Sequence, residues 1–148
     1  MKKKCNINTF ITANWKSIYI DKDLFLDERR QSRLRFSLAH EIGHYILHKS
    51  FYSAFKIDSL KTYYDFVELM SSKQYYYLES QANRFASYLL IPRELLKKEL
   101  SKELKKVDKN NFDKELLKSY IANPISKKFG VSQEAMKISL NEFNFDIN

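Results

Sequence analysis

The chain has 148 residues, a length that suits one domain with a real hydrophobic core, and 44% of the residues are hydrophobic and 15% aromatic. Its two glycines, Gly43 and Gly130, are too few for a glycine-rich phosphate loop or a dinucleotide fold, and few for a protein built of hairpins. The net charge of +8 comes from 26 basic and 18 acidic residues, mostly lysine interspersed with glutamate, which reads as solvated helix surface ahead of a nucleic-acid patch.

The first residues, "MKKKCNINTF", are basic but lack the apolar stretch of a signal peptide. Cys5 is the only cysteine, so the chain offers neither an internal disulfide nor a cysteine-based zinc site. That usage fits a reducing cytosol, and no apolar run is long enough to span a bilayer; the expected location is cytoplasmic, with no membrane partner. "TFITANWKSIYIDKDL" carries β-branched and aromatic residues in partial alternation and predicts one or two short strands.

Asp27 is placed to cap a helix from Glu28 to about Lys49, with Leu34, Leu38, Ile42, Tyr45 and Ile46 at helical spacing. Ser59 would cap a short helix through Met70, with Tyr63, Phe66, Val67 and Met70 on one side. A further helix is predicted over about 74–90, with Leu78, Phe85 and Leu89 on its core face. Ala82 and Ala86, one turn apart there, would let another helix approach closely. Pro92 suits a break followed by a fresh helix start. "SKELKKVDKNNFDKE" reads as a helix end and a surface loop, and helices over about 112–144 are expected to break at Pro124 and Gly130. The expected fold is α+β: one mostly helical domain over 1–148, with a small N-terminal β region.

All three histidines lie in "SLAHEIGHYILH", residues 37–48. His40 and His44, four apart on a helix, share a face and can aim two imidazoles at one ion. Glu41 sits roughly 100° further round the axis, placed to take a proton from a metal-bound water. Gly43 inside the motif gives up about 1 kcal/mol of helix propensity relative to alanine, which points to something packed closely against it. A catalytic zinc needs a third protein ligand. His48 lies ~12 Å along the axis from His40, too far for both to reach one ion from a straight helix, and suits a supporting or substrate-facing position or that of a plain helix-end histidine. Glu79 shares a face with Ala82, Asn83 and Ala86, and from pattern alone it serves equally as a buried ligand or as a surface glutamate near a helix start.

Three blocks in order resemble the ImmA/IrrE family of metallopeptidases: "RFSLAHEIGHYILH" (35–48), "ESQANRFASYLLIP" (79–92) and "ISKKFGVSQEAMKISL" (125–140). The second follows that family's pattern E-x-x-A-N-x-F-A-x-x-L-L-x-P. The resemblance implies a zincin-like active-site helix and one zinc ion bound by His40, His44 and Glu79, with Glu41 as general base. Many relatives carry a second acidic residue where this chain has Gln81, which leaves Glu79 as the only carboxylate of the block. Asn83 is a candidate to hydrogen-bond a ligand. For the oxyanion, His48 and the tyrosines at 75–77 are candidates, and the tyrosine-rich stretch from Tyr52 to Tyr77 is a candidate substrate wall, though core and rim use of those tyrosines is the plainer reading. Relatives of this kind include anti-repressors, so the resemblance implies a protein substrate, a helix-turn-helix repressor whose cleavage relieves repression.

Phe129, Gly130, Val131 and Ser132 form a corner like that of a helix-turn-helix. The second helix of that pair offers Glu134 and Glu142 with Lys137 and no arginine, which favours packing or partner binding over DNA readout. A regulatory DNA- or partner-binding protein with a non-catalytic metal site is therefore the alternative function.

Overall fold

A computed structural model describes residues 9–12, 16–57, 59–107 and 113–143. Cys5, the end of the polar loop at 108–112, and the chain beyond Phe143 lie outside the described residues. The described chain is mostly helical, and contacts group it into two compact units, Met1–Ala86 and Ser87–Asn148. Among the described residues no helix is long and apolar enough to cross a membrane.

The first unit opens with two short antiparallel strands, β1 (Thr9–Ile11) and β2 (Ile18–Ile20), in the register Thr9 to Ile20, Phe10 to Tyr19 and Ile11 to Ile18. The end of the predicted strand region is instead helix α1 (Lys22–Leu26). Asp21 accepts the Leu24 N–H at 2.8 Å, and the completely buried Leu24 anchors the turn. Asp27 does cap, but what it caps is a single 3-10 turn, Glu28–Arg30, and it also binds the Arg29 guanidinium at 2.9 Å. Helix α2 then runs from Gln31 to Ala54, one turn beyond the expected end, because His48 and Tyr52 are buried and hold the extra turn in place.

The apolar series of α2 is not its buried face. Leu34 is buried, but Ile42, Tyr45 and Ile46 are exposed, and Ile42 and Tyr45 border an open groove of about 270 Å³ shared with Ile11, Lys16, Ser17 and Ile18. The buried positions are Ala39, Glu41, Gly43, His44, His48 and Tyr52. A helix buries such a polar face only where its polar atoms find partners, and these do.

Helix α3 (Leu60–Leu69) starts at a reciprocal box between Ser59 and Thr62. Phe66 packs with Tyr52 and Ile57 in a small aromatic core, flanked by Tyr63, Val67, Met70 and Leu78. Helix α4 (Ser72–Leu90) is opened by Ser71, which exchanges hydrogen bonds with Gln74. Ala82 and Ala86 are fully buried, whereas Leu89, expected on the core face, is 48% exposed. Gly43 explains the buried alanines. A Cβ on it would sit 3.1 Å from Phe85 Cδ1 and 3.2 Å from both the Cα and the carbonyl oxygen of Ala82. The glycine and the alanines together bring α2 and α4 into backbone contact.

In the second unit Pro92 opens helix α5 (Arg93–Leu104), as its fixed φ allows. Helix α6 (Lys114–Phe129) is capped by Asp113 and, contrary to expectation, passes through Pro124 unbroken. An interior proline costs about 3 kcal/mol. Ile121 and Ala122 on one side of it and Ile125 and Ser126 on the other are buried on a shared face, and this burial keeps the helix continuous. The break comes at Gly130, at φ 62° and ψ 37°, where the Gly130 and Val131 N–H groups close back on Lys127 and Ser126. Ser132 then caps helix α7 (Gln133–Glu142). Leu96, Leu100, Leu117, Ile121, Ile125, Met136 and Leu140 form the core of this unit.

Candidate metal centre

The site is built inside the first unit, between α2 and α4. The i, i+4 spacing brings His40 and His44 to one face, and their Nε2 atoms lie 2.9 Å apart. Glu79, from the first half of α4, spans them: Oε2 is 3.4 Å from His40 Nε2, and Oε1 is 3.5 Å from His44 Nε2. The close approach at Gly43 and Ala82 is what lets so short a side chain reach. The His44 side chain is 4% exposed, that of His40 15% and that of Glu79 25%, so the cluster is largely shielded from solvent.

The donor set fits a metal ion in two respects. Bonds of about 2.0–2.1 Å to a tetrahedral zinc put neighbouring donor atoms roughly 3.3–3.4 Å apart. The three separations here bracket that edge within half an ångström. The nitrogens also face each other with the right atoms bare. His40 Nδ1 donates to Asn83 Oδ1 at 2.9 Å, which leaves its Nε2 as a lone pair. Two lone pairs pointed at one another repel unless a proton or a cation lies between them. His40, His44 and Glu79 are the one group of metal-ligating side chains among the described residues whose ligand atoms converge in this way.

Electrostatics point in the same direction. Burial alone would raise the Glu79 carboxyl, but in the metal-free protein the hydrogen bonds and positive charge of the two imidazoles, when their Nε2 atoms carry a proton, together outweigh it and hold the group down at about 2. Burial lowers His40, yet the hydrogen bond and charge of Glu79 more than offset this and raise it above its ordinary 6.5. A cation bound here would take the place of that shared proton. His48 is lowered, chiefly by burial, with a hydrogen bond to Gln81 opposing.

Glu41 is buried on the β1 flank of the site. Its Oε1 accepts the Thr9 hydroxyl at 2.9 Å and its Oε2 accepts the Ile11 N–H at 3.0 Å. Asn83 hydrogen-bonds His40, one of the candidate ligands. His48 is not part of the converging group of His40, His44 and Glu79; its Nδ1 is 2.9 Å from His44 Nδ1 and its Nε2 donates to Gln81 Oε1 at 2.8 Å. Of the tyrosines, Tyr52 is buried with its hydroxyl 3.2 Å from His44 Nδ1, while Tyr76 and Tyr77 are 73% and 63% exposed. Sequence reasoning missed the parts played by Thr9 and Tyr52, and it read Gln81 only as a lost acid.

A family model, Peptidase_M78 (IrrE N-terminal-like domain), matches residues 12–141. The chain belongs to this family. Its activity is therefore of the metallopeptidase type in general, and the family and the cluster of His40, His44 and Glu79 agree on a metal cofactor. No curated protein and no solved structure matches the chain.

Proposed function

We propose that this Peptidase_M78 member is a zinc-dependent endopeptidase of narrow specificity, and that its substrate is a helix-turn-helix repressor whose cleavage relieves repression in the cytoplasm. The observation that carries the catalytic part is the convergence of two imidazole nitrogens and one carboxylate from α2 and α4. His40, His44 and Glu79 would hold the ion. Two nitrogens and one oxygen are a donor set found in catalytic zinc sites, and no cysteine competes for the ion within the described residues. When bound, zinc supplies a Lewis acid for the scissile carbonyl and a water acidic enough to lose its proton near neutral pH.

The chain's own contribution is then positional. Glu41 takes the water proton on a carboxylate oxygen and passes it to the leaving amine. Thr9 and Ile11 hold that carboxylate in one rotamer, so that no conformational search precedes the transfer. Asn83 keeps His40 in the tautomer that binds metal.

The repressor substrate rests on the resemblance to anti-repressors. The DNA-binding alternative finds less support. α7 buries Met136 and Leu140 in the core of its unit, and its outward residues include Glu134, Lys137 and Ile138 but no arginine. α6 and α7 are better read as a packed pair or a partner surface. Incubating purified helix-turn-helix repressors with wild type and with Glu41→Gln tests the proposal. Cleavage by wild type alone, with equal zinc in both, is the expected outcome, and cleavage by Glu41→Gln at the wild-type rate would refute the mechanism.

A further inference from the structure

His44 differs from His40 in how its second nitrogen is held. His40 Nδ1 donates directly to an amide oxygen, whereas His44 Nδ1 faces another histidine nitrogen. Two ring nitrogens at 2.9 Å form a hydrogen bond only if one carries a proton and the other does not. Gln81 decides which. Its Oε1 lies 2.8 Å from His48 Nε2, and an amide oxygen can only accept, so His48 carries its proton on Nε2. A neutral His48 then has a bare Nδ1. His44 must donate from Nδ1 to fill it, and His44 Nε2 is left as a lone pair aimed at the centre of the site. The Tyr52 hydroxyl oxygen, at 3.2 Å, is the more distant of the two acceptors within reach of that N–H.

We propose that His48 and Gln81 form a relay that fixes the tautomer and ring orientation of His44 for metal binding. His48 is a positioning residue and not a ligand; this rests on the metal-site reading above. The relay explains three facts that are unconnected otherwise. His48 is 4% exposed although a histidine near the end of a long helix would ordinarily face water. α2 continues past Lys49, which keeps His48 inside a regular helix one turn after His44. Gln81, on α4 two residues after Glu79, turns inward to His48, so α4 supplies both a candidate ligand and the support of another. With a glutamine here the relay stays neutral. A carboxylate at 81 would favour a doubly protonated His48, which has no lone pair to offer His44.

Partners of ligating histidines change metal affinity by roughly 10–100-fold when removed. The test is zinc affinity of the full-length protein, measured by competition with a chromophoric chelator, for wild type, His48→Leu, His48→Asn, Gln81→Leu and the double variant His48→Leu with Gln81→Leu. His48→Leu should bind zinc at least tenfold more weakly. His48→Asn, which keeps an acceptor near the position of Nδ1, should stay within about threefold of wild type. Gln81→Leu should weaken binding, and the double variant should be no worse than His48→Leu alone, because the two residues act in series. Nitrogen-15 spectra of the zinc-loaded protein should place the His48 proton on Nε2. Affinities all within twofold of wild type, additive losses in the double variant, or a His48 proton on Nδ1 would each overturn the relay. A purely structural role would lower thermal stability in the leucine and asparagine variants alike without separating them in zinc affinity. If wild type itself bound no zinc, the metal-site reading would fail instead.

Discussion

Replacing Gly43 with alanine probes the contact that brings α2 and α4 together. On an isolated helix the change would stabilise by about 1 kcal/mol. Here the added Cβ meets Phe85 Cδ1 at 3.1 Å and the Cα and carbonyl oxygen of Ala82 at 3.2 Å. The phenyl edge can turn aside, but Ala82 presents backbone, and α4 itself must move by a few tenths of an ångström. Overpacking of this kind costs about 1–3 kcal/mol, so the net effect is a destabilisation of about 1 kcal/mol. The same displacement carries Glu79, one turn before Ala82, away from His40 and His44, where the present separations of 3.4 and 3.5 Å have little slack for a shared ion. Urea unfolding of the metal-free protein, with a zinc titration beside it, measures both effects. We expect lower stability together with zinc binding weakened several-fold. A variant more stable by the full helix-propensity gain, with unchanged zinc affinity, would refute the close-packing argument.

Three other perturbations address separate links. Because Glu79 raises His40 above 6.5 against the opposing effect of burial, protons compete for its Nε2 at higher pH than for an ordinary imidazole. Zinc affinity, followed across pH, should therefore begin to fall above pH 6.5 as pH is lowered. In the metal-free protein the signs differ: the raised His40 contributes stability below 6.5 that is lost as pH rises through its folded value, and Glu79, held at about 2, contributes stability above 4.5 that is lost as pH falls toward 2. Chelator-treated protein should thus draw most from this pair between those limits, and a flat profile would contradict the coupling. Thr9→Val removes one of the two hydrogen bonds holding Glu41, of a kind worth about 1.5 kcal/mol, so kcat on the cognate substrate should drop about tenfold with KM and zinc content unchanged; a kcat within twofold of wild type would deny Thr9 that role. Pro124→Ala restores an N–H to the middle of a continuous α6 and should stabilise by about 1–2 kcal/mol in thermal unfolding, whereas a loss of stability would mean that the ring itself is needed there.

How far the site was legible depended on sequence distance. The paired histidines and Glu41 lie in one helical turn, where spacing alone fixes direction. Glu79 is on another helix, and periodicity left it balanced between ligand and surface residue; only the block pattern around it favoured the first. Thr9 is 32 residues from Glu41 and Gln81 is 33 from His48, and no local rule links such pairs. In the fold, helix starts and stops read well at Ser59, Pro92 and Gly130 because each acts within a few residues. α2 misled because apolar spacing identifies a buried face only when the buried atoms are apolar. Here Glu41 is satisfied by Thr9 and Ile11, and His44 and His48 by each other, Tyr52 and Gln81, while Ile42 and Tyr45 border an open groove. Pro124 misled for the reverse reason: a strong local rule gave way to burial on both sides of it.

Joint binding of one metal ion by residues of α2 and α4 underlies every role assigned above. Zinc content after exhaustive dialysis, compared among wild type, His44→Ala and Glu79→Ala, is the decisive measurement. One equivalent in wild type, with little or none in either variant while helical content is unchanged, is the predicted result. Wild-type occupancy in Glu79→Ala would contradict it.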